Sequence, residues 1–88
     1  RQVTVSFMGG ALVPGLPKSV TLTLAEAITV DELFQRIEKE IGMPDLRAKT
    51  SRYFVVLVNG TSIQHLQGWD TPVRPGANVS VAAPMGGG

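Results

Sequence analysis

Only one stretch of this 88-residue chain leaves the two-residue alternation of strands for the spacing of a helix. In "ITVDELFQRIEKEIG", Val30, Leu33, Phe34, Ile37 and Ile41 recur on one helical face. Thr29 with Glu32 three residues on makes a capping box, and Asp31 and Glu32 suit the positive end of the helix dipole. Gly42 is the expected stop, with Pro44 just beyond. A single amphipathic helix can cover one face of a sheet and not two. The chain is therefore expected to be α+β, a sheet packed on one main helix.

The strands surround that helix. "QVTVSFM" points Val3, Val5 and Phe7 one way and Gln2, Thr4 and Ser6 the other. "GGALVPGLPK" reads as a loop longer than a tight hairpin needs. "SVTLTLA" alternates again through Val20, Leu22 and Leu24, and the two strands are expected to pair antiparallel. After the helix, "MPDLRAKTS" has no clear period and reads as a connection. Residues 53–58 are β-branched or aromatic except for Leu57 and run into Asn59-Gly60, a strong turn signal, with "TSI" as a short returning strand. "QHLQGWDTPVRPGA" is turn-rich, and "NVSVAA" (78–83) is the last strand. The expected order is β-β-α-β-β-β. The strand at 53–58 is apolar on both faces, with Phe54, Val56 and Val58 on one and Tyr53, Val55 and Leu57 on the other. Alternation alone leaves open which of these the helix covers. The other is surplus apolar surface, and such surface points to a partner.

Composition closes off several functions. The 43% hydrophobic and 17% charged content is that of one globular domain. A net charge of +1 and the lack of any long Lys/Arg run argue against a nucleic-acid partner. With no cysteine, disulfides, zinc–thiolate sites and a cysteine nucleophile are all excluded, which fits a cytoplasmic location. No apolar run approaches the length of a membrane span, so no membrane partner is expected. The sequence opens on Arg1 without a Met, and is read as processed, trimmed or truncated there. His65, the sole histidine, has no cluster to join and is expected in a surface turn; no metal site is expected. Trp69 is expected to pack against its own loop. Gly9, Gly10 and Gly15 lack the Gly-Lys-Ser/Thr of a phosphate cradle. With no nucleophile–base pair in view, the chain is not expected to be an enzyme on its own.

That leaves the ending, "VAAPMGGG". It reads equally as a frayed end, a linker, or a reactive group, with residues 1–83 as the domain and 84–88 as a flexible tail. The reactive reading has a physical basis. Glycine lacks a Cβ, so a glycine segment threads a narrow channel in any backbone conformation. A terminal carboxylate, ionised at neutral pH, can attack the α-phosphate of a nucleotide to form an acyl-adenylate, an electrophile for sulfide, thiols or amines.

The strand-strand-helix-strand-strand-strand layout ending in Gly-Gly resembles the β-grasp, or ubiquitin-like, arrangement. "VLVNG" (56–60), "DTPVRPGANVSV" (70–81) and "APMGGG" resemble the small subunit of molybdopterin synthase and its sulfur-carrier relatives. Ala83 stands where a proline is usual, Gly86 adds a third glycine, and the turn at 74–78 replaces a more acidic one. The resemblance implies a mixed sheet and a sulfur carrier. An adenylating enzyme of the ubiquitin-activating type uses ATP on the Gly88 carboxylate, no cofactor being bound to the carrier itself. A sulfurtransferase then supplies the sulfur of a thiocarboxylate. A large catalytic subunit receives the tail and transfers the sulfur to a pterin precursor for molybdenum or tungsten cofactor. In this reading Gly88 carries the sulfur, and Gly86 and Gly87 form a slim neck. Leu57, Val55, Ala82, Pro84 and Met85 make the partner interface. The resemblance also admits thiamine, cysteine or tRNA thiolation as the destination, and a ubiquitin-like modifier joined to lysines.

Overall fold

A computed structural model describes residues 1–8 and 14–83. In it, β1 (Gln2–Phe7), β2 (Ser19–Thr23), β4 (Val55–Val58), β5 (Thr61–Ser62) and β7 (Asn78–Ala82) form one sheet. Their order is β2-β1-β7-β4-β5. The expected β1–β2 antiparallel hairpin is present, with Val3 opposite Leu22 and Val5 opposite Val20. β7 runs parallel to β1 and antiparallel to β4, so the sheet is mixed. β3 (Ile28–Thr29) and β6 (Pro72–Val73) pair separately, antiparallel.

α1 (Val30–Ile41) carries the capping box as read: the Glu32 N–H donates to Thr29 Oγ1 at 3.0 Å, and the Thr29 N–H to Glu32 Oε1 at 3.1 Å. Gly42 ends it in the left-handed region, φ 71°, and the Met43 amide closes on the Glu38 carbonyl at 3.0 Å. Thr29→Ala leaves the Glu32 amide without its acceptor and is expected to lower stability by about 1 kcal/mol, read from a urea midpoint at unchanged slope. Val30, Leu33, Phe34 and Ile37 of α1 are buried against Val3, Val5, Val56, Val79 and Val81 of the sheet, and Ile41 packs at the edge of this core.

Four expectations need correction. The stretch read as a connection folds as a second helix, α2 (Leu46–Tyr53), with Leu46 and Thr50 turned inward. The strand expected at 53–58 begins only at Val55, because Tyr53 closes α2 and the Phe54 amide bonds to the Thr50 carbonyl at 3.0 Å. The β3–β6 pair adds two short strands to the expected order. The last strand stops at Ala82, one residue early. Each element that was read in outline survives; the additions are short pieces that close the space beside α1.

Candidate functional site

The exit of the last strand is fixed by register. Ala82, the final residue of β7, sits opposite Val55, the first residue of β4. The chain therefore leaves the sheet where α2 hands over to β4. Gly86, Gly87, Gly88, Pro84 and Met85, read as the reactive end, neck and interface, lie outside the described residues.

The other residues expected at an interface fall together. Phe54, Val56 and Val58 are buried in the core, so Val55 and Leu57 are on the outer face, half-buried, with Ala82 across from Val55. This resolves what alternation had left open. Sequence reading missed Met8, which is 50% exposed. Its amide donates to the Val81 carbonyl at 2.7 Å, extending the β1–β7 pairing by one residue and placing it beside Ala82. The signal was the alternation from Ser6 to Met8. Toward β2 the same face is polar, with Thr4, Ser6, Ser80, Thr21 and Thr23. The apolar part is thus concentrated where β7 ends, and none of the strands carries a charged residue.

The Asp-Thr-Pro segment is structural. Thr71 is buried; its hydroxyl donates to the Gly68 carbonyl at 2.7 Å and accepts from the Gln67 amide at 3.0 Å. The Thr71 carbonyl accepts the Val30 amide at 2.9 Å, tying this turn to the start of α1. Trp69 does not pack on its own loop as expected. Its ring meets Phe34 of α1 edge-on, with centroids 5.1 Å apart and planes at 89°, and the Arg47 guanidinium lies 4.5 Å from its centre. Arg47 also pairs with Asp31, and its amide donates to Glu38 at 2.9 Å. α1, α2 and the Trp69 turn are thereby held as one layer. His65 is exposed in the turn Ile63–His65, as expected.

A pocket of about 140 Å³ opens between α2, the start of β4 and the turns near Ser62 and Trp69. Thr50, Ser51, Ser62 and Gln64 supply its polar lining, and Phe54, Val55, Ile63 and Trp69 much of the rest. No titratable acid or base lines it, so it offers no proton-transfer pair.

A mixed five-stranded sheet with its first and last strands parallel at the centre, gripping a helix on one face, is the ubiquitin-like β-grasp fold. Solved structures of that class overlay on nearly the whole chain. Urm1 of Trypanosoma brucei does so with a TM-score of 0.71 at 22% identity, covering 99% of this chain and 95% of its own. The small archaeal modifier protein 1 of Methanosarcina acetivorans gives 0.69 at 17%, covering 99% and 96%. The complex of subunits 1 and 2 of molybdopterin-converting factor from Helicobacter pylori gives 0.61 at 18%, with both coverages at 100%. At these identities the likeness is one of fold. No curated protein matches the sequence. The ThiS family model matches residues 11–88, and the chain belongs to that family of small ubiquitin-like sulfur carriers. No described helix is long and apolar enough to cross a membrane.

Proposed function

We propose that the chain carries sulfur as a thiocarboxylate on Gly88 for assembly of a molybdenum or tungsten pterin cofactor. The observation that supports this best is the register of Ala82 on Val55: it brings the chain out of the sheet directly beside the apolar group Met8, Val55, Leu57 and Ala82, with residues 84–88 still to follow. That surface grips a partner while the glycines enter its active site. An oxygen of the Gly88 carboxylate attacks the α-phosphorus of ATP on an adenylating enzyme, and pyrophosphate leaves. Hydrosulfide then attacks the acyl carbon, AMP leaves, and one oxygen has been exchanged for sulfur. The carrier supplies a slim, side-chain-free end and a docking face; the acids, bases and lysines of each step belong to its partners, among them a sulfurtransferase and a large catalytic subunit. The molybdopterin branch is favoured by the long loop between the first two strands, which many thiamine carriers lack.

The test is intact mass after incubation with ATP, the adenylating enzyme of the source organism and sulfide. We expect a gain equal to replacement of one oxygen by sulfur, lost again on addition of the large catalytic subunit and its pterin precursor. A carrier that stays charged with that subunit, but discharges in thiazole formation or tRNA thiolation, moves the chain to another branch. The likeness to a small archaeal modifier protein raises a second reading, an isopeptide bond from Gly88 to lysines. Conjugates that survive thiol treatment and vanish on removal of Gly88 would carry that one.

A further inference from the structure

The helix that hydrophobic spacing misses has an outward face with no role in the core. Leu46 and Thr50 of α2 turn inward, whereas Ala48, Lys49, Arg52 and Tyr53 are exposed together around one shallow depression. α2 contains Arg47, Lys49 and Arg52 and no carboxylate. Arg47 is engaged by Asp31 and Trp69, but Lys49 and Arg52 form no ion pair with any described residue. Tyr53, 54% exposed, is the most exposed large apolar side chain among the described residues. It stands two residues before Val55, within about 7 Å along the chain, and Val55 is the partner of Ala82. Of the acids toward this end, Glu38 accepts the Arg47 amide and Glu40 is on α1, while Asp45 precedes α2, one helical turn from Lys49, with which it lines a depression without an ion pair, and about 10 Å along the helix from Arg52.

We infer that the Lys49–Arg52–Tyr53 face of α2 is the charged half of the docking surface, and that it fits a protein bearing carboxylates around the mouth of the site that receives the tail. The inference rests on the carrier reading above. The apolar group on the sheet is non-directional, and the strands bring no charge to orient it. Two cations with no ion-pair partner among the described residues, Arg52 nearest to it along the chain, fix the approach and steer the encounter. A nucleic-acid partner is the weaker fit, because two free cations on a chain of net charge +1 neutralise few phosphates.

The test is ATP–pyrophosphate exchange by the adenylating enzyme of the source organism, with carrier concentration and salt varied. Arg52→Glu is compared with Arg74→Glu, an equal charge change in an exposed turn at the other end of β7, and the double change Lys49→Glu/Arg52→Glu with Arg74→Glu/Lys18→Glu, whose sites are both exposed and off α2. Thermal melts check that all remain folded. We expect KM for the carrier to rise about tenfold in the α2 double variant with kcat unchanged, and its dependence on salt to flatten. Arg74→Glu and Arg74→Glu/Lys18→Glu should leave KM near wild type. An unchanged KM in the α2 variants overturns the inference, as does an equal rise in the matched changes off α2. So does binding to bulk tRNA that the α2 variants lose while KM holds, since it assigns the face to nucleic acid. If the wild-type chain supports no exchange with an enzyme active on another carrier, the carrier reading itself fails and the inference falls with it.

Discussion

A chain lacking only Gly88 is expected to melt within about 1 °C of the full chain and to support no ATP–pyrophosphate exchange above background. The first half follows from packing. The buried core ends at Val81, and the last strand ends at Ala82. The core and the hydrogen bonds described above are all made among residues 1–8 and 14–83, and the deletion leaves each of them in place. The second half follows from geometry. Without Gly88 the carboxylate is carried by Gly87 and is withdrawn by one residue, up to about 3.5 Å, from where the partner presents its nucleotide. In-line attack on phosphorus tolerates no such displacement. Gly87→Val should act similarly through bulk, since a β-branched side chain widens the part that must thread the channel. Exchange at wild-type rate by the shortened chain, with normal melting, would sink the carrier mechanism without touching the fold.

The largest expected loss of stability comes from Phe34→Ala. Phe34 is fully buried on α1 and is also the surface on which Trp69 stands. Truncation to alanine is expected to cost about 4 kcal/mol, from lost burial plus the cavity left behind. In a domain whose total stability is about 5–15 kcal/mol, that lowers the melting temperature by roughly 20 °C. Trp69 loses its edge-on partner at the same time, so its fluorescence should change even in the still-folded variant. Phe34→Leu keeps most of the volume and should cost less than half as much. A small effect for Phe34→Ala in a urea melt would mean that the layer of α1, α2 and the Trp69 turn closes up over the gap.

What could be read in advance was whatever rests on local chemistry. α1 was bounded at both ends by its own residues: Thr29 and Glu32 satisfy each other's amides, and Gly42 takes a φ of 71°. The turn after β4 was equally explicit, with Asn59 at φ 50° and Gly60 at 86°, a pair of positive φ values that few residues other than Asn and Gly accept readily. α2 was not legible. Only Leu46 and Thr50 of its eight residues are buried, Asp45 makes no side-chain cap, and a helix so short depends on tertiary contacts. It is tied down by the burial of Leu46 and Thr50 and by Arg47 reaching Asp31, Glu38 and Trp69, contacts that no local spacing reveals. Trp69 was misplaced for the same reason, since its partner Phe34 lies 35 positions earlier and no spacing rule connects them. Of the residues proposed for docking, Val55, Leu57 and Ala82 came from the resemblance, since alternation left the two faces of β4 open, whereas Met8 and the α2 face depended on where β1 ends and what precedes β4.

The position of β7 between β1 and β4 has a consequence for the order of events during synthesis. Until residues 78–82 have left the ribosome, the only pairings of this sheet open to the chain are β2–β1 and β4–β5, and the edges of β1 and β4 that β7 will join have no partner. Neither can bury Val5 or Val56 against Val79 and Val81. The last insertion thus joins the halves and sets Ala82 against Val55 in a single act. A nascent or damaged chain that has not closed its centre has no assembled docking face beside the glycines that follow. Activating enzymes that require that face would then charge finished molecules only, and the sulfur pathway would be spared carriers that cannot deliver.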